Sequence, residues 1–156
     1  MTTWTGFVPG EPVAKARPRV VFRKNAGHPV AITPNRTAEW EARATAHLRE
    51  AWGRRPALNG PVGALITVLV QRPGRLVWKR RAMPRQPVVA KPDWDNFGKG
   101  ASDAVEKAGI VVNDSQLWCV TVTKEYCAAG EQPGVEVQLT WHEDVKAALL
   151  LTEARP

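Results

Sequence analysis

The segment spanning residues 61–71 is the most hydrophobic part of the sequence and is rich in Val, Leu and Ile. This composition predicts a buried β-strand. Its longest apolar run, from Ala64 to Val70, is far too short to cross a bilayer. The chain has 156 residues, of which 44% are hydrophobic and 24% charged, as in an ordinary globular protein. We therefore expect one domain over residues 1–156, since two domains would each be marginal in size.

The other predicted elements do not alternate regularly between helix and strand. Trp40, Ala44, Leu48 and Trp52 recur every four residues, which predicts a helix of about five turns with a buried apolar stripe. Strand patterns occupy residues 1–9, 29–32, 110–112, 116–126 and 135–141. With a second helix described below, this order predicts an α+β fold in which a mixed β-sheet is backed by two main helices. Residues 143–156 form a C-terminal tail in which we expect a short helix.

The charges of the chain divide it into two halves of opposite sign. Residues 1–91 hold 17 Lys and Arg against 4 Asp and Glu, whereas residues 92–156 hold 5 against 11. The first half therefore carries a net charge of +13 and the second half −6, within a total of +7. A strongly cationic half indicates a polyanionic partner such as nucleic acid. An acidic half indicates a site for cations or simply a solvated surface.

Two basic segments are candidates for contact with nucleic acid. Lys15, Arg17 and Arg19 fall at every second position, so an extended backbone would point them to one side. An edge strand that carries charges against aggregation explains this pattern equally well. The second segment is a basic loop over residues 72–91, which contains three prolines, no acid and Trp78. Its seven cations suit backbone phosphates: Arg72, Arg75, Lys79, Arg80, Arg81, Arg85 and Lys91. The alternative is a solvated loop.

The cysteine and histidine pattern offers neither a disulfide nor a zinc site. Cys119 and Cys127 lie eight residues apart in one strand-like stretch, and extended backbone would place their Cα atoms roughly 26 Å apart. The three histidines are scattered and lack zinc-binding spacing. The N-terminus also lacks the pattern of a secretory signal. We therefore expect a cytoplasmic protein with reduced cysteines, which does not bind a membrane and has no organic cofactor.

The sequence KPDWDNFGKGASDAVEKAG, at residues 91–109, carries the candidate chemistry. Pro92 favours extended backbone before it, so Asp93 and Asp95 are expected to project to the same side. A helix is expected to follow from residue 96 to residue 108, with Lys99 on its polar face. Two adjacent carboxylates repel each other by about 3 kcal/mol, and oxygen ligands alone suit Mg²⁺, with Mn²⁺ able to substitute. Alternatively, Asp95 caps the helix and Asp93 is a surface acid.

A third acid, Asp114, follows the short strand predicted at residues 110–112, in a turn with the sequence NDS. A turn residue of this type requires no functional explanation on its own. Together with Asp93 and Asp95, however, it completes an ordered series of acids. The series reads D-x-D-N-x-x-K, then D-A, then D-x-Q.

This series resembles the RusA family of Holliday-junction resolvases, which is common in phages and prophages. GEPVAKARPR also resembles the basic N-terminal motif of that family, and the matching elements span roughly residues 10–125. The resemblance implies that Asp93, Asp95 and Asp114 bind a divalent metal ion, that Lys99 assists catalysis, and that the protein is a homodimer. One position departs from the pattern, since Asn113 stands where many relatives have an acid.

The resemblance implies a Mg²⁺-dependent endodeoxyribonuclease that resolves four-way junctions by paired phosphodiester hydrolysis in DNA recombination and repair. The ten cations of the two basic segments would bind the DNA, in the host cytoplasm if a phage encodes the protein. A nuclease of the same chemistry that acts on other branched DNA is one alternative. A basic nucleic-acid-binding protein without catalytic activity is another.

Overall fold

A computed structural model describes residues 1–16, 19–22, 28–32, 34–78 and 80–142. Within these residues the chain forms seven strands and two α-helices. In chain order they are β1 (Thr2–Pro9), β2 (Arg19–Phe22), β3 (Pro29–Ile32), α1 (Asn35–Trp52), β4 (Val62–Val70), β5 (Gln86–Pro87), α2 (Trp94–Lys107), β6 (Leu117–Tyr126) and β7 (Gly134–Trp141). Short 3₁₀-helices occupy Gly74–Leu76 and Asp114–Gln116. No helix among the described residues is long and apolar enough to span a membrane.

Five strands form one mixed sheet in the order β1-β7-β4-β6-β5, and β2 and β3 form a separate antiparallel pair. Strand β4 runs parallel to β6 and antiparallel to β7. Parallel neighbours need a crossover connection, and here that connection contains α2. The crossover packs α2 against β6 and β4. The α+β prediction is confirmed.

The hydrophobic segment that predicts a buried strand forms β4 at the centre of the sheet. Its alternate residues Val62, Ala64, Ile66 and Val68 are buried, whereas Leu65 is 38% exposed. These four residues belong to the hydrophobic core that includes the buried faces of α1 and α2, whereas Leu69, on the other face of β4, is buried outside this core.

Helix α1 confirms the predicted apolar stripe, because Trp40, Ala44, Leu48 and Trp52 are all buried in the core. The indole of Trp52 packs edge-on against the indole of Trp4, with ring centroids 5.3 Å apart. Helix α2 buries the face predicted for it, which includes Phe97, Ala101, Ala104 and Val105. The two helices are also linked by an ion pair between the buried carboxylate of Glu41 and Lys107, at 2.7 Å.

Two details of the sequence prediction change, and a third lies outside the described residues. Helix α2 begins at Trp94, two residues before its predicted start. The strand predicted at residues 110–112 is reduced to one bridge between Val111 and Leu58, because the chain turns into the Asp114–Gln116 helix two residues later. The predicted C-terminal helix lies outside the described residues.

Candidate active site

The first two acids lie at the start of helix α2. Asp93 occupies the N-cap position with extended backbone, and Asp95 lies in the first turn of the helix. The expectation that an extended segment projects both side chains to one side is therefore wrong, because the helix begins between them. Asp95 favours the helix in this position, since negative charge in the first turn offsets the positive end of the helix dipole.

Gly98 brings this helix close to the sheet. A Cβ atom at position 98 would lie 2.8 Å from Cγ2 of Val122 on β6, which is closer than two carbon atoms can approach without displacement. Because position 98 has no side chain, the polar face of α2 lies directly beside β6. Asp95, three residues before Gly98, and Lys99, directly after it, line a cavity with Leu117 at the start of β6.

The third acid, Asp114, lies in the turn that leads into β6, and side-chain hydrogen bonds fix this turn. Asn113 Oδ1 accepts a hydrogen bond from the Ser115 amide at 3.0 Å, and Gln116 Oε1 accepts one from the Val112 amide at 2.7 Å. Gln116 Nε2 donates to the carbonyls of Leu58 and Gly60, which ties the turn to the start of β4. Asn113 is thus a cap of the 3₁₀-helix that carries Asp114, and an acid at 113 is not needed for this role.

Helix α2, the Asp114 turn and β6 line an open cavity of about 320 Å³, which we call the carboxylate cavity. Among the described residues that line it, the ionisable side chains are Asp95, Lys99, Asp103 and Asp114. The structure thus brings together Asp95, Lys99 and Asp114, as the sequence predicts. Asp93 lies outside this lining. No group of three His, Cys, Asp or Glu side chains within the described ranges has a geometry that would hold a metal ion.

Asp103 is engaged by Lys15, which reaches the cavity from the segment between β1 and β2. Lys15 Nζ donates a hydrogen bond to Asp103 Oδ2, and the Lys15 amide donates to the Asn96 carbonyl at 3.0 Å. The hydrogen bond to Asp103 holds the pKa of Lys15 above its ordinary value, and the charges of Glu41 and Asp114 act in the same direction. Lys15 is therefore paired with an acid of the cavity, and the DNA contact that the sequence predicts for it stays a prediction.

Sequence reasoning assigns no role to Lys124 beyond its place at the end of a strand. In the structure, Lys124 Nζ donates hydrogen bonds to the carbonyls of Ala90 and Pro92, the latter at 2.6 Å. The amide of Val88 also donates to the Lys124 carbonyl. Lys124 thus anchors the chain immediately before Asp93. Lys124 lies two positions after Val122, which packs against Gly98 of α2. Alternate residues of a strand share one face, and this spacing is the sequence signal for the contact.

Two cations of the basic loop are used within the protein. Arg72 is 6% exposed, and its guanidinium donates to the carbonyls of Cys127 and Pro84 and to Gln86 Oε1. Arg85 forms ion pairs with Glu131 and with Glu136, the latter at 2.9 Å. The expectation that the loop cations lack counter-charges is wrong for Arg85, because Glu131 and Glu136 lie outside the loop in sequence. Among the described residues, Arg72 has neutral acceptors only, two of which lie within the loop itself. The burial of Arg72 is also at odds with a role in DNA binding.

The other predicted DNA contacts divide into exposed residues and residues that the structure does not describe. Arg75, Arg80, Arg81 and Lys91 are exposed. Arg17 and Lys79, and the side chain of Arg19, lie outside the described parts of the chain.

Carboxylates and a lysine around one cavity are groups typical of enzymes that cleave phosphodiester bonds. A family model described as endodeoxyribonuclease RusA matches residues 9–140. This match includes every predicted active-site residue and most of the chain, so the protein belongs to the RusA endodeoxyribonuclease family. It is therefore a nuclease. A comparison with individual curated proteins gave no significant match.

Proposed function

We propose that this nuclease is a Mg²⁺-dependent, structure-selective endonuclease that resolves four-way DNA junctions by paired hydrolysis of phosphodiester bonds. The observation that carries the proposal is the carboxylate cavity, where two segments distant in sequence bring Asp95 and Asp114 beside Lys99. The membership of the chain in the RusA family supports the same reaction. DNA recombination and repair are the processes that this activity would serve.

Asp95 and Asp114 fit a Mg²⁺ ion by the chemistry of their donors. Mg²⁺ keeps several water ligands and is commonly held by one or two carboxylates together with phosphate oxygens of the substrate. Two carboxylates on one cavity therefore suffice, and Mn²⁺ would fit the same donors. Asp93, at the N-cap next to the cavity, is the third proposed ligand. When bound, the metal ion would lower the pKa of a water ligand and polarise the scissile phosphate.

Lys99 is exposed and lines the same cavity, one helical turn after Asp95. Its three N–H donors suit a phosphate oxygen that gains negative charge during hydrolysis. Lys99 would thus bind the scissile phosphate and stabilise the departing oxygen. Lys15 is held by Asp103 at the same cavity, which leaves Lys99 as the lysine of the proposed catalytic set.

Paired cleavage requires two active sites, each placed in the same way against one of the two DNA strands that are cut. A homodimer with two-fold symmetry provides them on a four-way junction, which has matching symmetry. We propose this assembly for the protein. Light scattering of the protein with and without a junction would measure its mass, and a single-chain mass in both cases would contradict it.

The test of the proposed activity compares a labelled four-way junction, a linear duplex and a flap, each with Mg²⁺ or with EDTA. We expect paired nicks in the junction with Mg²⁺ only. Asp114→Asn should abolish these nicks and keep junction binding in EDTA. Glu106→Gln is the matched control, because Glu106 lies on α2 outside the carboxylate cavity.

Two results would contradict the proposal. Binding of the junction without any cleavage in Mg²⁺ would indicate a nucleic-acid-binding protein without catalytic activity. Cleavage of the flap but not of the junction would indicate the same chemistry on another branched substrate.

A further inference from the structure

A second cavity of about 320 Å³ lies among the segment between β1 and β2, the start of α1 and the chain before α2. We call it the Arg36 cavity. Three cations line it, namely Arg36, Lys91 and Lys124, against one acid, Glu11. Apolar side chains that include Val13, Val88 and Phe97 form other parts of its wall.

Two of the three cations have no partner among the described residues. Lys124 is bound to the carbonyls of Ala90 and Pro92. The Glu11 carboxylate accepts a hydrogen bond from the Gln71 amide at 3.3 Å. Arg36 and Lys91, in contrast, are exposed and form no ion pair or side-chain hydrogen bond within the described ranges. The cavity therefore presents two available positive charges, and like charges at one cavity favour an anionic ligand.

The first turn of α2 separates the Arg36 cavity from the carboxylate cavity. Asp95 and Gly98 line the carboxylate cavity, whereas Phe97 lines the Arg36 cavity. A helix with its side chains is about 10 Å across, which corresponds to about three nucleotides of a DNA strand at 3.4 Å each. One strand that passes over the start of α2 would therefore reach both cavities.

We propose that the Arg36 cavity binds a backbone phosphate of the cleaved DNA strand, a few nucleotides from the scissile phosphate. The proposal rests on the proposed function, because it takes the carboxylate cavity as the place of cleavage. Arg36 would bind two phosphate oxygens through its planar guanidinium, and Lys91 would add a point charge. The apolar wall suits the adjoining deoxyribose. Arg36 thus becomes a positioning residue that fixes the register of the strand, although it lies outside both basic segments of the sequence.

The experiment combines protein variants with neutral phosphates in the DNA. A set of four-way junctions each carries one methylphosphonate, at successive positions on both sides of the branch point. Their binding to the wild type, Arg36→Gln and Arg54→Gln is measured by fluorescence anisotropy in EDTA, where cleavage does not occur. Arg54 is the matched control, because it is exposed and follows the far end of α1, about 27 Å from Arg36 along an 18-residue helix.

We expect one methylphosphonate position to weaken binding of the wild type by about 5- to 10-fold, as expected when the protein binds one phosphate fewer. Arg36→Gln should weaken binding to unmodified DNA by a similar factor and should show no further weakening at that position. Arg54→Gln should behave as the wild type does. If every methylphosphonate weakens the binding of Arg36→Gln by the same factor as it weakens the binding of the wild type, the inference is wrong.

Cleavage of unmodified junctions in Mg²⁺ separates this inference from the proposed function. If the wild type cleaves the junction but Arg36→Gln removes the effect of no methylphosphonate position, the inference alone is wrong. If Arg36→Gln removes the effect of one position in a protein that never cleaves, the result would overturn the proposed function, and with it the place of this phosphate on a cleaved strand, but would support the phosphate contact of Arg36. Lys91→Gln should remove the effect of the same methylphosphonate position as Arg36→Gln does. If it removes the effect of a different position, Arg36 and Lys91 do not bind one phosphate and the proposed site is wrong.

Discussion

The basic loop at residues 72–91 and the carboxylate cavity carry opposite charges, and the structure neutralises them to different degrees. In the loop, Arg72 is buried against backbone carbonyls and Arg85 is paired with Glu131 and Glu136. In the cavity, Lys15 pairs with Asp103. Among the described residues, no cation forms an ion pair with Asp95 or Asp114.

This comparison shows that a count of charges overstates what each region offers to a ligand. Two of the loop cations are bound within the protein, so the available cations there include Arg75, Arg80, Arg81 and Lys91. In the cavity, Asp103 is bound by Lys15 and two carboxylates remain available at one place. Asp95 and Asp114 form no ion pair among the described residues, and this leaves them available for the cationic ligand proposed above.

The largest expected effect separates the two kinds of acid at the cavity. Asp95→Asn should lower the cleavage rate by more than about 100-fold, since even groups that only orient metal ligands cost about 10- to 100-fold when removed. Asp103→Asn should have a smaller effect, because Asp103 is bound to Lys15. Rates of junction cleavage at saturating Mg²⁺ measure both. Equal decreases in the cleavage rate would contradict the prediction, because they would show that Asp103 contributes as much as Asp95 despite its ion pair with Lys15.

The next effect is on stability and separates Arg72 from the rest of the loop. Arg72→Met should lower the free energy of unfolding by about 2–3 kcal/mol, because carbonyls of Cys127 and Pro84 lose a charged donor. Arg75→Met, at an exposed position of the same loop, should change it by less than about 0.5 kcal/mol. Urea unfolding of both variants tests this difference. Similar free energies of unfolding for the two variants would contradict the prediction and would show that Arg72 contributes no more to stability than an exposed cation.

A moderate effect on binding is expected where the loop cations are exposed. Replacing Arg80 and Arg81 together by Gln should flatten the salt dependence of junction binding, by a slope of about 0.9 for each phosphate that the variant no longer neutralises. Anisotropy titrations at several salt concentrations in EDTA give this slope. Arg85→Gln serves as the internal comparison, because its charge is already paired. An unchanged slope for the Arg80 and Arg81 variant would exclude the loop from the DNA interface.

The smallest expected effect is a pH dependence of stability. Hydrogen bonds from Arg85 hold the pKa of the Glu131 carboxyl below its ordinary value, although burial acts in the opposite direction. The lowered pKa makes this pair stabilising above the pKa of unfolded Glu, about 4.3. The stabilisation is lost as the pH falls through the lower pKa of the folded state. The difference in unfolding free energy between wild type and Arg85→Gln should therefore shrink below about pH 4.3. A difference that stays constant from pH 7 to pH 3 would contradict the pairing.

Local patterns predicted much of the fold because the elements bury one regular face each. The four-residue spacing of Trp40, Ala44, Leu48 and Trp52 predicted α1, and alternation of apolar residues predicted β7. The start of α2 was misplaced because Pro92 was taken to extend the chain through Asp95, whereas the helix begins directly after Asp93. Neither strand order nor the short β5 could be predicted, since both depend on pairing between distant segments.

The candidate site was predicted in its residue types but only in part in its geometry. Asp95, Lys99 and Asp114 were named from the order of their motifs, and the structure places them on one cavity. The partners of Arg72, Arg85 and Lys15 were not predictable, because each lies 12 or more residues away in sequence. Arg36 was not named at all, since it stands alone on a helix and belongs to no local cluster of cations.

The sequence by itself determined the α+β class, the buried faces of both main helices and the membership in a nuclease family, and it predicted Asp95 and Asp114 as acids of the candidate site. These follow from periodicity and from the order of short motifs, both of which are local properties. The tertiary structure decided which charges remain available for a ligand. It also decided that α2 lies close enough to β6 for Asp95 and Asp114 to share a cavity. The physical reason is that ion pairs and cavities depend on distances in space, which the parallel crossover from β4 to β6 sets.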